Sequence, residues 1–71
     1  MRTVKGFWQH ENGKIYVVES DSFGKVIGGV GPIDANNLGH VENYHCKPAI
    51  LDWLLRAFAQ GKLRRINPSQ T

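Results

Sequence analysis

The sequence predicts a small α+β domain: an antiparallel sheet of three strands, with room for a fourth, packed on one C-terminal helix. Three observations predict it. Asn12 and Gly13 stand between two runs rich in β-branched and aromatic residues, which is a hairpin signal. Asp21, Ser22, Phe23 and Gly24 supply a second turn before another short apolar run. Pro48 and Gly61 then frame a stretch whose apolar residues recur at helical spacing.

The elements follow in order. Residues 4–9 are apolar and aromatic enough for a first strand. If Asn12 and Gly13 form a two-residue turn, both need a positive φ, and residues 14–20 return as a second strand. That register sets Trp8 against Val17 and His10 against Ile15 on one face, and Phe7 against Val18 and Gln9 against Tyr16 on the other. Gly24 suits a left-handed position in the second turn. Residues 25–30 form a third strand, weakened by Gly28 and Gly29 and ended by Gly31 and Pro32. Residues 33–46 are dominated by turn chemistry, with residues 40–44 as either a short edge strand or loop.

The helix is expected over residues 48–60. Pro48 fits its first turn, where a missing N–H costs nothing, and Gly61 fits the position just past its end. Its polar stripe is Asp52, Arg56 and Gln60; Ile50, Leu51, Trp53, Leu54, Leu55, Ala57 and Phe58 surround the rest. That apolar arc covers roughly 200°, about twice what a helix on one sheet needs. With the hairpin register above, both sheet faces also carry apolar residues. An antiparallel sheet with one covered side alternates more strictly.

A chain of 71 residues makes one domain, here residues 1–66, followed by a frayed tail at 67–71. A core this small supplies roughly 3–5 kcal/mol without a staple. Cys46 is the single cysteine, so an internal disulfide is excluded. The lone thiol favours a reducing compartment. No stretch reads as a leader or is long enough to cross a bilayer, and the chain reads as a complete cytoplasmic protein without membrane contact.

Surplus apolar surface on helix and sheet leads to the functional expectation: a non-enzymatic interaction module, homo-oligomeric and most simply a two-fold dimer, with another protein as an alternative partner. The expected contact residues are Trp8, Tyr16, Trp53 and Phe58, because aromatic side chains dominate interface energetics. The competing expectation is that the 31–46 segment and the tail, through Leu38, Val41, Leu63 and Ile66, fold back over the same surface.

Charge offers a second functional class. Residues 1–61 hold six basic and six acidic side chains, so the net charge of +3 comes from Lys62, Arg64 and Arg65. Lys5, Lys14, Lys25, Lys62, Arg64 and Arg65 could hold phosphates of a nucleic acid while sheet aromatics stack on bases. Glu11, Glu19 and Asp21 share those hairpins and would repel it. His40, Glu42, His45 and Cys46 are metal-ligating residue types crowded into seven positions, but their spacing matches no paired zinc pattern. Cys46 and a histidine also lack a third group to orient them for nucleophilic catalysis. Residues 28–32 are glycine-rich without a following helix, which does not make a phosphate loop. No cofactor is expected.

Overall fold

The computed structural model describes residues 2–66. The tail expected to fray, 67–71, lies outside the described residues. Four antiparallel strands form one sheet in the order β3-β2-β1-β4: β1 is Thr3–His10, β2 Ile15–Asp21, β3 Val26–Ile33 and β4 Leu63–Ile66. The helix α1, Leu51–Ala59, precedes β4, and short 3-10 turns occupy Ala35–Asn37, Val41–Asn43 and Pro48–Ile50. This is the expected α+β fold, with its fourth strand present.

That fourth strand is not where the sequence allowed one. Residues 40–44 hold a 3-10 turn, and the added strand is the basic tail, β4, on the free edge of β1. The helix end explains the placement. Gly61 takes φ +68°, its N–H donates to the Phe58 carbonyl at 3.1 Å, and the Lys62 N–H donates to the Ala57 carbonyl at 3.0 Å. This is a Schellman stop, which turns the chain back sharply. The Glu11 N–H then donates to the Lys62 carbonyl at 2.9 Å, and β4 zips along β1 from His10 opposite Leu63 to Phe7 opposite Ile66.

The hairpin register is one residue away from the expected one. Trp8 faces Tyr16, Phe7 faces Val17 and Gln9 faces Ile15. The loop has three residues rather than two: the His10 N–H donates to the Lys14 carbonyl at 2.8 Å and the Gly13 N–H to the His10 carbonyl at 2.9 Å. Only Gly13 of this loop, at φ +91°, is left-handed, and among the described residues no non-glycine has a positive φ. A type I turn closed by one left-handed glycine avoids the cost of putting Asn12 there too. The Asn12 Oδ1 instead accepts from the Lys14 N–H at 2.9 Å.

A one-residue slip moves whole side-chain sets between faces. Trp8, Tyr16 and Val18 now share the helix side. Phe7, Ile15 and Val17 share the other side, where Val30, Ile33, Leu38, Val41, Tyr44, Cys46 and Ile66 pack on them. The fold-back expected of the 31–46 segment is therefore present and covers that second face. Phe7 meets Tyr44 edge-on at 6.0 Å, and the Lys5 Nζ donates to the Tyr44 carbonyl at 2.8 Å. Lys47 and Gly29 exchange backbone hydrogen bonds of 2.7 and 3.2 Å, which anchors the return to α1 on the β3 edge.

β3 also runs further than expected, through a cis Gly31–Pro32 peptide to Ile33 opposite Ile15. β3 is an edge strand, so Pro32 removes no interior ladder bond. On the helix side Leu54 and Ala57 are buried, and Leu54 lies directly over Gly29. A Cβ at Gly29 would overlap the Leu54 Cδ1, whereas one at Gly28 would meet only ordinary contacts at 3.5 Å. Gly29→Ala is accordingly expected to cost about 1–3 kcal/mol through overpacking. Gly28→Ala should cost measurably less. Urea denaturation of both variants checks this, and the reverse order would contradict the packing described.

Candidate functional site

The helix covers only part of its sheet face. Seven- and eight-residue strands extend about 25 Å, while a helix with side chains is about 10 Å wide. α1 crosses the half of the sheet next to the β1–β2 loop, with Leu54 over Gly29 of β3 and Phe58 against Trp8 of β1. Beyond it lies an open groove of about 430 Å³. Val4, Trp8, Val18 and Val26 give its apolar floor, Gly6, Ser20 and Gly24 keep that floor shallow, and Leu55 and Phe58 form the wall on the α1 side. Val4 remains 51% exposed and Leu55 45%.

Two cations border the groove, Lys25 from the β3 end and Arg65 from β4, and among the described residues no carboxylate lines it. The Arg65 guanidinium lies over Gly6, where a Cβ would come within 3.2 Å of it. The nearby acids are engaged elsewhere. The Asp21 Oδ1 accepts from both the Phe23 and Lys25 N–H groups at 2.9 Å. The Glu19 carboxylate accepts from the Thr3 hydroxyl at 2.7 Å. The Asp21-centred turn, with Gly24 at φ +85°, leaves Phe23 93% exposed, one residue before Gly24 of the groove lining.

The four aromatics expected at an interface form much of the joint between helix and sheet. Trp8 and Phe58 meet edge-on at 4.7 Å, and Tyr16 and Trp53 lie 4.8 Å apart. Tyr16 is buried; Trp8 and Phe58 are half-buried and reach the groove. Trp53, 39% exposed, stacks on His10 at 5.5 Å on the far side of α1. Val4, Val18, Val26 and Leu55 complete the site, and the sequence did not single them out. The missing signal was the register: with the three-residue loop, Val4, Trp8 and Val18 align on one face.

The six candidate phosphate-binding cations do not share a face. Lys5 is tied to the second-face cover through Tyr44. Lys62 lies 3.8 Å from the Glu11 carboxylate. Arg64 and Arg65 are consecutive in β4 and so point to opposite sides of the sheet, Lys14 sits at the first loop and Lys25 at the second.

His40 and Glu42 both line a second cleft, of about 430 Å³, together with Lys5, Asn36 and Arg65, but His45 and Cys46 do not line it. Among the described residues no three His, Cys, Asp or Glu side chains gather as metal ligands. Cys46 packs against the second face, with its Sγ 4.0 Å from the Val17 carbonyl. Burial raises its thiol pKa, Glu19 raises it further, and Lys5 pulls it down. That is the opposite of an activated nucleophile.

The chain matches no family model, no curated protein and no solved structure.

Cys46 should therefore alkylate slowly with iodoacetamide, reaching half its limiting rate at a higher pH than the same thiol in the urea-unfolded chain. Its folded-state pKa lies above the unfolded one. The stability linked to it is fully present below the unfolded-state pKa and falls as pH rises through the folded-state value. Cys46→Ala should flatten that part of the stability profile. A thiol that reacts faster when folded would contradict the burial described.

Proposed function

We propose that this protein is a non-enzymatic interaction module that binds a partner chain in the groove between α1 and the far half of the sheet. The observation that carries the reading is the unfilled apolar strip beside the helix, where Val4 and Leu55 stay about half exposed over a floor that includes buried Val18. Covering such residues is favourable by about 25 cal/mol per Å² of apolar surface removed from water. Phe23, 93% exposed on the hydrogen-bonded turn that also carries Gly24 of the groove lining, adds exposed apolar surface beside it. Half-buried Trp8 and Phe58 supply the central aromatic contacts that interfaces favour.

Phosphate binding draws less support. Its six candidate cations are divided among both faces and two loops, and one of them is engaged by Glu11. Nucleic-acid modules concentrate such charge on one surface.

Panning a random peptide display against the wild-type chain and Leu55→Glu tests the proposal. Leu55 is exposed, so the variant should unfold within about 0.5 kcal/mol of wild type. Peptides retained by wild type and lost on Leu55→Glu are the expected result. If no peptide distinguishes the two, and light scattering shows a monomer at high micromolar concentration, the groove is not a binding surface.

A further inference from the structure

We infer that the groove takes the apolar face of an acidic amphipathic helix from a different protein, laid beside α1. This rests on the interaction reading above and adds the shape and charge of the partner.

Shape comes first. The groove lies on a sheet face, where the backbone N–H and C=O groups of the floor already serve the β ladders. An extended peptide seated there would leave its own backbone groups without partners, whereas a helix satisfies its own. Paired helices pack 8–10 Å apart, about the width of the strip that α1 leaves open. A second helix would touch Leu55 and Phe58 at its side and Val4, Val18 and Val26 beneath, and Ser20 and Gly24 would let it come close.

Charge selects the partner. Lys25 stands just before β3 and the Arg65 guanidinium reaches over Gly6 of β1, so the two charges mark the ends of a helix lying obliquely across these strands. Lys25 is level with Asp21 and Gly6 with Val18, so two strand spacings across and three residues along separate the charges, about 14 Å. On a helix that distance is roughly nine residues. Carboxylates two to three turns apart would reach both cations, while apolar residues at i, i+3 or i+4 and i+7 meet the floor. A second copy of this chain fits poorly. A two-fold contact through the groove would bring together two Lys25 and two Arg65 side chains without a carboxylate from the lining. The one α-helix among the described residues already lies on its own sheet.

The test uses three synthetic fourteen-residue amphipathic helices that share one apolar face and carry Glu, Gln or Lys at the two flanking positions. Each is titrated into the isotope-labelled full chain and followed by amide chemical shifts. The Glu peptide should perturb the groove strands and α1, and should bind about tenfold more tightly than the Gln peptide at low salt, with the Lys peptide weakest. The gap should close as salt rises. Lys25→Gln with Arg65→Gln should bring the Glu peptide down to the Gln level. Equal binding by all three overturns the charge assignment and leaves the interaction reading standing. Binding by none overturns the helical partner, and the display experiment separately decides whether the groove binds anything. Groove shifts that depend on protein concentration without peptide would make the occupant a second copy and overturn the inference.

Discussion

The alignment of Phe7 with Val17 and of Trp8 with Tyr16 is the constraint on which the rest of this structure depends. It is fixed at the loop, where Gly13 alone takes the left-handed conformation. From that one backbone choice every side chain in the central hairpin receives its face. Phe7, Ile15 and Val17 go to one side and Trp8, Tyr16 and Val18 to the other, so two thin apolar layers form in place of two mixed ones. Val17 and Leu54, both fully buried, lie in opposite layers. The core is two shallow halves back to back across a single sheet.

The halves are closed by different means. On the Phe7 side the cover is irregular backbone, held by the Lys5 contact to the Tyr44 carbonyl, by the ring of Tyr44 and by the paired amides of Lys47 and Gly29. On the Trp8 side the cover is one short helix. A nine-residue helix lies across strands more than twice as long as it is wide, and the remainder of that face stays open. The groove thus follows from element lengths, and its chemistry from residues that alternate onto that face. Its apolar floor and its flanking cations are separate features that meet at one place.

Much of this was legible in the residues. The strands, the Asp21–Gly24 turn, the helix framed by Pro48 and Gly61, and the surplus of apolar side chains on the helix all follow from local chemistry. The errors trace to choices that local chemistry leaves open. Asn12 and Gly13 serve equally in a two- or three-residue loop, and only packing across the sheet separates them. Leu63-Arg64-Arg65-Ile66 carries too little pattern to announce a strand, and it becomes one because the Gly61 stop delivers it to an unpaired edge. Pro32 looks like a terminator until its strand proves to be at the border of the sheet. For the site, the aromatics drew attention by their size, yet Tyr16 is consumed by the fold and smaller residues such as Val4 and Leu55 stay available.

The pairing of β1 with β4 closes the molecule between residues more than fifty positions apart. During synthesis β1 and β2 can meet early, but the outer side of β1 has no neighbour until residues 63–66 have emerged. For that interval the nascent chain carries an open hydrogen-bonding border beside Phe7 and Trp8, the kind of surface on which chains misassociate. The ribosome and its attendant chaperones therefore meet a more vulnerable object than the completed sheet.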